Sequence, residues 1–502
     1  MIYNLDITEN MIKIVDEKSE SLKNEILNAP NNEYFIKNKK YISPNGSDSN
    51  NGSTPETAWK SIEKLNEENL PYGTVVLFER GGLWRGKIIA KVGVTYTSYG
   101  NGEKPKIYGS PENGANPAKW TLINREKNIW KYATDMEDVG CIVFNDGEKN
   151  GIKALPDFVN GKYYVRTGDI PILEEEYDIN IHLSKNYEFF SDYTEMYAKE
   201  GDVLGNKEKT VPLYLKCDEG NPGEIFDSIE FCTRSNIFST ITNNNITFDN
   251  LCLKYSGGMA IGGYHSMGIK VINCEIGWIG GAIQFYKPNG TAVRYGNGVE
   301  IAANCFNFTV DHNWVYQNYD AGISYQAGET AVEIITDGVK FTNNLIEFCT
   351  YGIEYFIGAN DYPEIRNYQK NINFSNNIIR YSGFGFGNQR PNKNSSAAIK
   401  TWPSHANDAE DFIIKNNILD RSRYCLIYAC AHNKEWIPKY ENNIFIQHKG
   451  TMGDCGMYIV NEEIVKISTD KLEEMQIKPY IKLFDSDIYL AEKDWLYELA
   501  EE

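Results

Sequence analysis

Between Ile246 and Asn443 the chain writes one short unit seven times: ITFDNL, IKVINC, FTVDHN, VKFTNN, INFSNN, FIIKNN and YENNIF. In the first six an apolar residue opens the unit and a second follows two positions later. Two positions further comes Asn250, Asn273, His312, Asn343, Asn376 or Asn416, and Asn442 fits the truncated seventh. Residues at i and i+2 face the same side of a strand, so each unit spells a short strand followed by a turn. One unit cannot bury its own apolar face, but stacked copies can. Self-similarity of this kind is the signature of a solenoid. A rod that grows lengthwise accommodates 502 residues without one oversized core.

Composition narrows the partners. The formal charge of −19 argues against nucleic acid, whose phosphates reward basic surfaces. It also disfavours a strongly anionic polymer unless a basic cleft or a metal offsets the field. No uninterrupted apolar run approaches the roughly 20 residues of a membrane helix, so no membrane partner is expected. Ten Cys occur without zinc-type spacing, and Cys252, Cys274 and Cys349 sit in apolar strand patterns, where free Cys acts as a small hydrophobe. No metal site is expected from them. MIYNLDITENMIKIVDEKSE lacks the basic flank and apolar core of a secretion signal, so a cytoplasmic location is expected, or a secreted one if the chain has been trimmed.

Five segments are expected. Residues 1–38 are polar with a weak helical period through Met11, Ile12, Ile14 and Val15, a helical lead-in or cap. Residues 39–110 hold YISPNGSDSNNGSTPETAWKSI and then the first stacked strands. Asp48 and its Asn neighbours read as loop residues that satisfy their own backbone rather than as cation ligands. Residues 111–240 break the rhythm with hairpin-like strands such as GCIVFNDGEKNG, a β-rich and sandwich-like insertion. Residues 241–458 are the main stack, and 459–502 (TDKLEEMQIK, AEKDWLYELAEE) form a helical cap over its open end.

The entry loop, the Trp59 segment and PYGTVVLFERGGLWRG resemble the start of bacterial right-handed parallel β-helix proteins of the pectin-lyase-like superfamily. Members often read P-G-D where this chain has Pro71-Tyr72-Gly73-Thr74. With the repeats, the resemblance covers Tyr41 to Tyr458 and implies an all-β, right-handed parallel β-helix. It implies little about the reaction, because one fold hosts many chemistries.

Successive units start 23, 39, 31, 33 and 40 residues apart, so four repeats exceed the shortest. The extra residues are expected after a third strand (GAIQFY, AGISYQ, YGIEYF, FGFGNQ), where stacked insertions build a binding face. That alignment puts Gln284, Ser324, Glu354 and Gly387 in one outward column, with Asp320 at a strand entrance. A fourth strand, GVEI and AVEI, is expected to set Glu300 and Glu333 about 4.8 Å apart at the backbone. Paired carboxylates push one pKa upward, which suits a general acid beside a base or nucleophile. Glu300, Asp320, Glu333 and Glu354 are therefore the catalytic candidates, against the alternative that each is a solvated strand-edge charge.

YDAGISYQ, YGIEYF and GFGFGNQRPN resemble segments of gut-bacterial β-helix proteins assigned to polysaccharide breakdown, and they hold Asp320, Gln326, Glu354, Gln389 and Arg390. Arg390 could fork onto a sugar or pin Glu354. Tyr325 and Trp402, with Tyr264, Tyr286 and Phe356, offer aromatic faces. His265, His405 and Lys400 complete the substrate-binding candidates. Three functions stay open. A glycoside hydrolase acting on an oligo- or polysaccharide needs two carboxylates and no cofactor. A polysaccharide lyase or uronate epimerase needs a base such as Lys400, Arg366 or Arg390, with Ca2+ as an optional helper. A non-catalytic glycan-binding rod needs neither.

Overall fold

The computed structural model describes residues 2–3, 5–34, 38–159, 162–167, 183–191, 210–240, 242–286, 292–328, 332–358, 362, 364–390, 396–402, 409–431, 438–449, 454–460, 463–467 and 486–501. The chain is mostly β, with few helices and large parallel sheets. Each repeat feeds three parallel ladders. The first runs through Thr247–Asp249, Lys270–Ile272, Thr309–Asp311, Lys340–Thr342, Tyr368–Ser375, Ala409–Lys415 and Lys439–Glu441. The second runs through Cys252–Ser256, Glu275–Ile279, Trp314–Asn318, Leu345–Glu347, Ile378–Arg380, Ile418–Asp420, Asn443–His448 and Ser486–Ala491. The third holds β1 (Ile261–Met267), β2 (Val299–Phe306), β3 (Ala321–Ala327), β4 (Tyr351–Ile357), β5 (Ala397–Lys400), β6 (Cys425–Ala431) and β7 (Asp454–Val460).

The apolar alternation of the repeats explains the core. Phe248, Val271, Val310, Phe341, Phe374, Ile414 and Tyr440 stand in register on the first ladder, and all are buried. The rings of Phe341 and Phe374 stack 5.0 Å apart. Full burial of each such side chain contributes about 1.5–3 kcal/mol before entropy is counted.

The repeated Asn has a backbone role. Asn250, Asn273, His312, Asn343, Asn376, Asn416 and Asn442 all sit at φ between 52° and 61°, the left-handed region that Asn tolerates better than most residues. The residue after it carries a buried amide ladder. Asn313, Asn344, Asn377, Asn417 and Asn443 are buried, and each Nδ2 from Asn313 to Asn417 donates to the next Oδ1 at 2.9–3.0 Å. Asn344 also donates to the Val310 carbonyl at 2.9 Å and accepts from the Asn313 amide at 3.0 Å. Asn344→Ala is expected to lower stability by at least about 2 kcal/mol, since each orphaned buried group costs about 1–3 kcal/mol. A lower denaturant midpoint in equilibrium unfolding is the readout.

The ends and the insertion differ from expectation. The helix α1 (Leu5–Leu27) lays Val15 and Ile26 on Leu345, Ile378, Ile418 and Ile446, so it covers the outer face of the second ladder. TDKLEEMQIK lies outside the described residues. Ser486–Ala491 is a strand that extends the second ladder, and among the described residues of that segment the helix is Trp495–Glu501. Among the described residues between 111 and 240, six strands form one mixed sheet, in which Ile152–Val159 runs parallel to Glu188–Ser191. Its Trp120, Tyr132, Phe189 and Leu215 pack on Phe144 and Phe231 of the main sheet. The second layer of the sandwich is thus the main sheet itself.

The insertions do not all follow the third strand. GAIQFY holds Ile283–Tyr286, which pairs antiparallel with Ala292–Arg294, and FGFGNQ holds a 3-10 turn at Phe386–Gln389. The third strands of those repeats are β2 and β5, so their extra residues come before the strand, whereas those of the β3 and β4 repeats come after it. Gly280 and Gly281, at φ of 97° and 87°, let the chain leave the stack ahead of β2.

Candidate active site

This shift of register builds the site. Gly262, Glu300, Ser324, Glu354, Lys400 and Tyr428 stand opposite one another across β1 to β6. Their neighbours Val299, Ile301, Ile323, Tyr325, Ile353, Tyr355 and Ile399 fill the core, so the alternation of the strand turns the polar column to the other face. Glu300, Ser324, Glu354 and Lys400 are each 5% exposed or less. Buried ionisable groups are costly, and three in one column make it the candidate site.

Each carboxylate has its own surroundings. Asn297 donates from Nδ2 to Glu300 Oε2, and its Oδ1 is fixed by the Ala321 amide at 2.8 Å. Burial pushes the Glu300 carboxyl up to about 8; hydrogen bonds from Asn297 and Gln326 offset part of this, and the charges of Glu354 and Asp320 add to it. Glu354 accepts from Trp402 Nε1 at 2.6 Å and is in register with Lys400. Burial and Asp320 raise its pKa, while Lys400, Arg390 and Trp402 favour the charged form. Burial lowers Lys400, against the pull of Glu354. Its ammonium lies 3.8 Å from the Tyr351 ring centre and 3.6 Å from that of Trp402.

Asp320, directly before β3, is ion-paired with Arg390. Asp320 holds the Arg390 guanidinium charged despite its burial, and Arg390 in turn favours the charged form of Glu354. The turn that delivers Arg390 packs so closely that a Cβ on Gly387 would lie 2.2 Å from Thr350 Oγ1 and 2.8 Å from the Tyr319 carbonyl. Gln389 faces the insertion: it donates to the Gly151 carbonyl at 2.9 Å and accepts from the Lys153 amide at 3.1 Å. It braces the turn rather than lining the column.

Other expected residues stand elsewhere. Glu333 is exposed in the irregular segment before Ile335–Asp337, and the strand partners of Glu300 are Gly262 and Ser324, so the expected Glu300–Glu333 pair does not form. Gln284 lies on the two-stranded hairpin and Gly387 in the 3-10 turn, so neither belongs to the column. Tyr325 points inward, where its ring packs among Phe341, Tyr355 and Phe374 and its hydroxyl bonds Gln369. That ring is core. Arg366 pairs with Glu410 at 3.0 Å on the surface. His265, at φ 52° on β1, lies edge-on to Tyr264, which stands opposite Ala302, two residues beyond Glu300. His405 and the Tyr286 side chain lie outside the described residues. Asn297 was not singled out in the sequence, because Gly-Asn-Gly reads as a plain turn.

Among the described residues, no group of three or more His, Cys, Asp or Glu is placed to hold a metal ion. A cavity of about 820 Å³ lies elsewhere, lined by Lys104, Lys254, Glu275 and Trp314 beside the second ladder. Its Lys254 is paired with Glu275 at 2.9 Å. No helix among the described residues is long and apolar enough to cross a membrane.

No protein-family model matches the chain, and no curated protein matches it. Solved structures do. XylC in complex with xylose is 11% identical, with 90% of this chain and 82% of that chain covered and a TM-score of 0.38. A structure described as a glycoside hydrolase is 8% identical, with 92% and 98% covered and a TM-score of 0.46. The GH136 lacto-N-biosidase from Eubacterium ramulus is 10% identical, with 90% and 68% covered and a TM-score of 0.34.

Proposed function

We propose that the chain is a carbohydrate-active enzyme, a glycoside hydrolase that cleaves an oligo- or polysaccharide, carried on a right-handed parallel β-helix. One observation carries this reading: Glu300 and Glu354 are buried on one outward column, two strands apart, in contrasting surroundings. Burial raises both carboxyls, Glu300 to about 8 and Glu354 to about 7, and that order gives the acid role to Glu300 and the base role to Glu354. Glu300 stays protonated near neutrality and serves as general acid to the leaving oxygen. Glu354, beside Lys400 and Trp402, serves as the ionised partner, either base or nucleophile. Arg390, held by Asp320, favours the charge on Glu354, and Gln326 hydrogen-bonds Glu300. Hydrolysis here needs no cofactor.

Activity is expected to fall as pH rises through about 8, because the acid role needs Glu300 protonated. A kcat/KM profile without an alkaline limb in that region removes Glu300 from the role. Trp402→Phe keeps a ring over Lys400 but removes the donor to Glu354. Loss of one charge-assisted bond of about 1.5 kcal/mol corresponds to a roughly tenfold fall in kcat.

One observation favours a second reading. Lys400, with its pKa lowered by burial, could take the proton next to a uronate carboxylate, as lyases and epimerases require. The products decide between the two over a panel of plant and host glycans. Hydrolysis leaves a new reducing end alone, whereas elimination leaves an unsaturated uronide that absorbs in the ultraviolet.

A further inference from the structure

Ser324 occupies the position between the two carboxylates. It is in register with Glu300 on one side and Glu354 on the other. It is fully buried, and its hydroxyl has no hydrogen-bond partner among the described residues. A buried hydroxyl left unpaired costs about 1–3 kcal/mol, and a polar site of this kind is where a protein holds an ordered water. Two strand spacings set the backbones of Glu300 and Glu354 roughly 9–10 Å apart. Carboxyl groups about 6.5–9.5 Å apart leave room for a water between base and sugar, whereas covalent retention needs about 5–5.5 Å.

We propose that Ser324 is a positioning residue that holds the attacking water against Glu354, so that the enzyme hydrolyses its glycoside in one step with inversion at the anomeric carbon. This rests on the hydrolase reading above. The water oxygen forms the new bond to the anomeric carbon as the bond to the glycosidic oxygen breaks. The water gives its proton to Glu354, and the leaving oxygen takes the proton of Glu300. The products are a hemiacetal of inverted configuration and an alcohol. Exchange with solvent then restores the charge on Glu354 and the proton on Glu300. Asn297 and Gln326 fit this scheme, since both hydrogen-bond the Glu300 carboxyl and so fix the acid in place.

The test uses the full chain and a panel of 4-nitrophenyl glycosides with plant and host oligosaccharides. Proton NMR of the first-formed anomer is recorded before mutarotation, beside the intact-protein mass during turnover. The expected result is the inverted anomer, with no glycosyl adduct on the protein. Ser324→Ala is expected to lower kcat at least tenfold with KM within about twofold and an unchanged melting temperature. Hydrolysis with retention, or a glycosyl adduct, overturns this inference and leaves the hydrolase reading standing. An unaltered kcat in Ser324→Ala removes Ser324 from the role. Cleavage by elimination, or no cleavage across the panel, overturns the hydrolase reading and this inference together.

Discussion

Glu354→Gln is expected to lower kcat by roughly 10³-fold on any glycan that the parent protein hydrolyses. The amide keeps the size of the carboxyl, and its oxygen can still accept from Trp402 Nε1, so the local packing survives. It cannot take a proton or carry the charge that develops opposite Lys400. The loss belongs to the chemical step, so KM should stay within a few-fold while kcat collapses. Stability should not fall with activity, because the substitution removes a buried carboxylate that burial and Asp320 already disfavour. Kinetics and thermal melting on the same preparation separate the two effects.

Glu300→Gln is expected to act through the leaving group. With a sugar alcohol departing, loss of general acid catalysis costs about 10²–10⁴-fold. With a nitrophenolate departing the cost should be far smaller, since that group leaves without a proton. The same substitution should flatten the alkaline limb near pH 8. Stability follows the same group. The folded protein holds the Glu300 proton more tightly than the unfolded chain, so this contribution is present at low pH and lost as pH rises through about 8. The loss accumulates from the ordinary carboxyl value of 4.5 up to about 8 and then stops, so the parent should lose more stability than Glu300→Gln between mildly acidic pH and pH 8, as read from denaturant midpoints.

Much of the fold was legible because the repeat obeys a strict period of two inside each unit. Phe248, Val271, Val310 and Phe341 announced the buried column by their spacing alone. The buried amide ladder was not legible. In Asn343-Asn344 and Asn376-Asn377 the first Asn is chosen for its left-handed backbone and the second for its amide, and identical letters conceal the division. The candidate site was legible in its parts. Glu300 and Glu354 stood out at strand positions, Asp320 at a strand entrance, Trp402 as an aromatic face, and Arg390 and Lys400 as binding candidates, and the structure gathers them around one column. Their register was not legible, because GAIQFY and FGFGNQ match the apolar pattern of a third strand yet leave the stack. Gly280-Gly281 is the local signal that the chain turns out there. Once β2 and β5 take the place of those segments, Glu300 moves beside Ser324 and Lys400 beside Glu354, and Glu333 falls away. Gln389 was beyond sequence reasoning, since its partners Gly151 and Lys153 lie more than 230 positions away.

The most direct measurement compares single-turnover cleavage by the parent, Glu300→Gln, Glu354→Gln and the control Glu333→Gln on one glycan that the parent hydrolyses. The pairing of Glu300 with Glu354 predicts a loss of at least about a hundredfold in each of the first two variants and an unchanged rate in the control. Full activity in both Glu300→Gln and Glu354→Gln would contradict it.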